Sequence, residues 1–248
     1  MMCNKYFIVR RGDFATDGNK KIYYTIFSTL LCLDDYLTNN STDCFKIMIG
    51  STFVWTVIEL VLYYSKTRVM KPMHYTDLYN NKYLIPRTVS IILQGSQEGG
   101  VVTTFGLYFG DRLHDFKHFL YLHVFIGYII LNMSFKQNIS KVASKRQINN
   151  CGSLIAIGSI TIYNAYELYL RPNHLIRQIR MFFVMIYVCS IWTYIAYIKR
   201  FRGVESHYII HGNTVIEKKS IVNTFLILGY DVLFEIGVAY LTFYNWFI

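Results

Sequence analysis

Apolar residues in this chain gather into seven runs, at roughly 22–38, 44–64, 84–109, 117–134, 151–170, 178–198 and 220–247. About 20 apolar residues in a helix cross about 30 Å of hydrocarbon, so each run predicts a membrane-crossing helix. The three prolines fall at boundaries: Pro72 in the connection after the second run, Pro86 opening the third, and Pro172 closing the fifth. The expected fold is therefore all-α: one domain over residues 1–248, an integral membrane bundle of seven transmembrane helices. Residues 1–21 precede it as a polar segment.

The basic residues orient this bundle. Lys and Arg concentrate in four segments: Lys5, Arg10, Arg11, Lys20 and Lys21; then Lys66, Arg68, Lys71 and Lys82; then Lys136, Lys141, Lys145 and Arg146; then Lys199, Arg200, Arg202, Lys218 and Lys219. Those segments alternate with connections that carry far less positive charge. The positive-inside rule then predicts a cytoplasmic N-terminus and a non-cytoplasmic C-terminus. The formal charge of +10 is read as serving topology and the anionic headgroups of the cytoplasmic leaflet. No basic groove interleaved with aromatics is visible, so nucleic acid is not an expected partner. Composition agrees, with 53% hydrophobic and 16% charged residues and a mean hydropathy of +0.28, against about 25% charged in soluble domains. The chain is read as a multi-pass integral membrane protein.

Away from the ends of the runs the charged residues are acids, Glu59, Glu98, Asp231 and Glu235, while Lys46 and Arg87 stand at helix starts and Glu167 near an outer end. No Lys or Arg stands at comparable depth along any run. A charge at mid-membrane costs about 2.5–3.5 kcal/mol on insertion scales. Such acids must be protonated, bind a cation, or line a wet cavity. Asp231 and Glu235 share a helix face by their i, i+4 spacing, as do Gln94 and Glu98. Counted from the cytoplasmic ends, Glu98 and the Asp231/Glu235 pair reach one level, and Glu59 lies nearer the inside. The third run is interrupted by Gln94-Gly95-Ser96-Gln97-Glu98-Gly99-Gly100. Gly95 and Gly99 suit close helix packing; alternatively the helix unwinds there, with Gly99 and Gly100 giving a solute access to backbone.

Histidines offer a second chemistry. His114 and His118 are spaced as metal ligands on one helix face, and His207 and His211 repeat the spacing in a segment that reads as strand. Tyr208-Ile209-Ile210 and Thr214-Val215-Ile216 flank Gly212-Asn213, which predicts a small hairpin. Cys32 and Cys44 flank the first non-cytoplasmic connection and read as free thiols ahead of a bridge; the same connection carries glycosylation sequons at Asn39 and Asn40. No cofactor motif is found. The last run has no lysine for a retinal Schiff base.

The leading expectation is a transporter or channel for a proton, cation or small polar solute. Its cavity would be lined by Glu98, Asp231, Glu235 and Gln94, with Glu59 toward the inside. A lipid-modifying membrane enzyme and a structural or envelope membrane protein are the alternatives. Substrate, organelle and oligomeric state leave no trace in the pattern.

Overall fold

The computed structural model describes residues 5–12, 16–134, 142–148, 150–210 and 213–248. They form seven helical rods. The first two are α1 (Gly18–Asn39) and α2 (Asp43–Tyr64). In the third, α3 (Arg87–Gly95) runs through a π-wound stretch, Ser96–Val101, into α4 (Val102–Asp111). Then come α5 (Phe116–Ser134), α6 (Asn150–Leu170) and α7 (Leu175–Ile198). In the last, α8 (Ile221–Tyr230) passes through a second π-wound stretch, Asp231–Val238, into α9 (Ala239–Phe247). Three of these rods are long and apolar enough to cross a membrane: Asp43–Tyr64, Pro172–Ile198 and Ile221–Phe247. Their outer faces agree. Ile49, Phe53, Val57 and Val61 form an exposed apolar stripe along α2 at four-residue spacing, a surface that soluble monomers rarely show.

The all-α expectation is corrected by a five-stranded sheet. Its strands are β1 (Lys5–Arg11), β2 (Arg68–Met70), β5 (Val142–Ile148), β6 (Arg202–Ile210) and β7 (Asn213–Lys218), in the order β2-β5-β1-β6-β7. Every neighbouring pair is antiparallel. A separate hairpin joins β3 (His74–Thr76) to β4 (Lys82–Leu84). The four basic segments of the sequence are the four that supply the sheet, each separated from the next by two helical rods. Apart from the local β6–β7 hairpin, these strands pair across long sequence distances, so their register is not set by local pattern. The hairpin predicted around Gly212-Asn213 is β6–β7, with Tyr208 opposite Val215 and Ile209 opposite Thr214.

The apolar core joins the helices around Leu107, Leu122, Met181, Met185 and Tyr244. Cys32 and Cys44 are buried free thiols. At the end away from the sheet, arginines clamp the rods. Arg177 holds Asp111 (Nη2–Oδ2 2.7 Å) and Asp43 (2.7 Å), and Arg112 holds Asp35 (2.6 Å).

The third rod lies hard against α2. A Cβ built on Gly95 would stand 2.8 Å from the Thr56 backbone, and one on Gly99 would stand 2.4 Å from the Ser51 carbonyl oxygen. Gly99→Val should therefore lower stability by about 1–3 kcal/mol, the usual cost of overpacking. Gly127→Ala, where nothing lies within 4 Å, should be neutral. Thermal unfolding of the two variants in detergent checks the contrast, and equal midpoints would contradict this packing.

Candidate functional site

The site begins with the register of the sheet. Residues directly opposite on neighbouring strands share a face, and so do residues two apart on one strand. Arg68 is opposite Arg146, which is opposite Ile8, which is opposite Val204. In the next row, Met70 is opposite Ser144, then Arg10, then Arg202. One face thus gathers Arg10, Arg68, Arg146 and Arg202 beside two apolar residues, Ile8 and Val204, that are buried with Leu228 of α8. This face turns toward the helices. The other face carries Phe7, Val9, Lys145 and Glu205; there Arg11 is paired with Glu205, and Lys145 lies 5.4 Å from the Phe7 ring.

Arginine directly opposite arginine is repulsive. Two acids from the helices relieve both pairs. Glu98 accepts from Arg10 (2.5 Å) and from Arg68 (2.8 Å). Asp231 accepts from Arg146 (2.5 Å) and from Arg202. Each acid therefore takes one member of each opposed pair. Glu59 accepts a further hydrogen bond from Arg68, and Trp55 Nε1 donates to Glu98 (3.1 Å). Arg202 also donates to Thr193 (2.8 Å), and its guanidinium and that of Arg10 lie 5.1 and 5.8 Å from the Trp192 ring centre. Burial opposes the charge on Arg68, yet Glu98 and Glu59 raise its pKa above the ordinary arginine value.

The sequence expectation that these acids have no cationic partner is overturned. The cations come from strands distant in sequence. Lys21, in the first turn of α1, adds a further cation and donates to Gln94 and Gln97 of the third rod.

Both acids sit in π-wound turns, Glu98 in Ser96–Val101 and Asp231 in Asp231–Val238. Such turns recur at functional sites because the wide turn re-aims side chains. Glu98 and Asp231 line one cavity of about 180 Å³. Arg10, Lys21, Arg68 and Arg146 form its polar wall with Gln97. Phe105, Phe125, Val184, Met185 and Ile236 form its apolar wall. Trp55, Trp192, Tyr24 and Tyr240 also line it.

The other expected residues are placed as follows. Glu59 joins the site through Arg68. Gln94 is buried and accepts from Lys21 (2.7 Å). The side chain of Glu235 lies outside the described residues, as does His211. Gly99 and Gly100 face α2, where Cβ atoms would meet Ser51 and Thr52, and neither lines the cavity. His114 precedes α5 in a turn, and His118 is bonded to Asp115 (2.5 Å). Among the described residues no three His, Cys, Asp or Glu side chains gather as metal ligands.

Sequence reasoning missed Arg10, Lys21, Arg68, Arg146 and Arg202 because it counted them only as topology markers. The signal was there: buried acids demand cations, and Arg10, Arg68 and Arg202 each stand within two residues of a valine, in stretches suited to strands.

No protein-family model, no curated protein and no solved structure matches the chain.

Removing one partner of a buried ion pair costs about 3–5 kcal/mol, because the other charge stays buried. Asp231→Asn should therefore speed amide exchange in β5 and β6 by at least about ten-fold, a loss of about 1.4 kcal/mol, and spare the amides near Arg177. Hydrogen exchange by mass spectrometry reads both regions, and unchanged protection in the two strands would contradict the pairing.

Proposed function

We propose that this protein is a seven-pass membrane carrier for a small polar solute. In this reading the sheet lies on the cytoplasmic side and the C-terminus on the far side. The support for the topology is the coincidence of two independent patterns. The segments assigned to one side by charge are the segments whose strands pair, and two rods separate each from the next. The few basic residues of the opposite side are largely neutralised in place, as Arg177 is by Asp43 and Asp111 and Arg171 by Glu167.

The observation that carries the solute site is the shared cavity. It lies between two π-wound segments from distant parts of the chain, with an acid from each in its wall. Interrupted helices flanking a buried site are a recurring carrier design. The arginines narrow the expectation stated from sequence. A proton or metal cation would have to displace two guanidinium groups from each acid, so a small polar solute fits better than either. An enzyme reading has less support, since the acids are engaged in ion pairs. The rival is a structural membrane protein in which the ion pairs only fasten the sheet. The cavity itself tells against that, because a purely structural junction is close-packed.

Two measurements test this reading. Cysteine labelling from either side of a sealed membrane should place Lys5 and Ile248 on opposite faces; finding both on one face refutes the odd number of passes. In proteoliposomes, Val184→Trp, which fills the cavity, should cut solute flux at least about ten-fold while the sheet keeps its exchange protection. Equal flux with the cavity filled would exclude this route.

A further inference from the structure

The geometry points to an organic anion with a compact apolar body as the ligand of this cavity, a deeper statement of the carrier reading that rests on the same site. Three observations on the wall support it. Among the described side chains, four cations (Arg10, Lys21, Arg68 and Arg146) face two acids, Glu98 and Asp231. With Glu59 on Arg68 and Arg202 on Asp231 counted as well, five cations stand against three acids among the described side chains, a surplus of positive charge.

Lys21 is the second observation. It is buried, 3% exposed, yet its ammonium donates to two neutral amide oxygens, Gln94 Oε1 (2.7 Å) and Gln97 Oε1 (2.5 Å). An ammonium has three N–H groups. A buried cation held by amides alone is costly unless an anion comes to it. Third, Tyr24 stands one helical turn along α1 on the same face. Its hydroxyl is buried and has no hydrogen-bond partner among the described residues. A buried hydroxyl left unpaired costs about 1–3 kcal/mol. Lys21 and Tyr24 both line the cavity, and each has a donor to offer a carboxylate or phosphate there.

The remaining wall sets the body of the ligand. Phe105, Phe125, Val184 and Met185 accept hydrocarbon, and the volume of about 180 Å³ compares with about 150 Å³ for a cavity that takes up benzene. The buried part of the ligand is thus about ring-sized. The same chemistry is offered by a free organic acid and by an anionic lipid whose head enters from the bilayer.

Benzoate is the probe, with benzamide and benzylammonium as its neutral and cationic counterparts. Trp55 and Trp192 on the cavity wall report binding by fluorescence, and calorimetry confirms it. The full chain in phosphatidylcholine nanodiscs should bind benzoate at least ten-fold more tightly than either counterpart. Lys21→Met should weaken benzoate at least ten-fold. Tyr24→Phe removes no hydrogen bond among the described residues, so it should fold normally and weaken benzoate several-fold. Adding phosphatidylglycerol to the discs separates the sources: competition with benzoate identifies a lipid head, and undisturbed binding identifies a free acid. Equal affinity for benzoate and benzamide, no binding of any probe, or benzoate affinity unchanged in both variants would overturn the inference. Binding of benzoate without flux would sink only the carrier reading; flux with no preference for anions would sink only this one.

Discussion

Four arginines on one face of a small sheet, held by two acids from the helices, make the junction on which this structure turns. The sheet alone would not tolerate Arg68 opposite Arg146 and Arg10 opposite Arg202. The helices alone would not tolerate Glu98 and Asp231 in an apolar interior. Each problem is the remedy for the other. Because every acid spans one arginine from each opposed pair, the lattice sets the sheet's position over the helices in two directions. The π-wound turns that carry both acids are the local cost of aiming them there.

The two ends of the molecule handle charge differently. Away from the sheet, Arg177 and Arg112 meet Asp43, Asp111 and Asp35 in compact clamps near helix ends, with local aromatic support from Tyr108, 3.9 Å from Arg112. At the sheet, Lys21 adds a cation that no carboxylate among the described residues holds directly, and a cavity opens beside it. Paired charges close one end, and surplus charge furnishes the other. That asymmetry directs the functional reading toward a solute attracted by positive charge.

Much of the helical framework was legible in the sequence, because a run of apolar residues declares a helix without help from distant neighbours. The boundaries of α2 and α7, and the β6–β7 hairpin around Gly212-Asn213, follow from local signals. The importance of Glu98 and Asp231 was legible too, as acids in an apolar setting. Their partners were not. Arg10, Arg68, Arg146 and Arg202 are brought together by strand register between segments up to two hundred residues apart, and register is a tertiary property. The third rod follows the close-packing reading of its glycines: Gly95 and Gly99 admit α2 closely, and the stretch stays helical, wound as a π turn.

A double-mutant cycle on Glu98 and Arg68 tests this junction most directly. Unfolding free energies of Glu98→Gln, Arg68→Met and the double variant, measured in one detergent, give the coupling between the two charges. Interlocked partners should show a coupling of about 1.5 kcal/mol or more, with the double variant less damaged than the single losses summed. Losses that add within about 0.5 kcal/mol, as for independent sites, would mean that the acid does not hold the sheet.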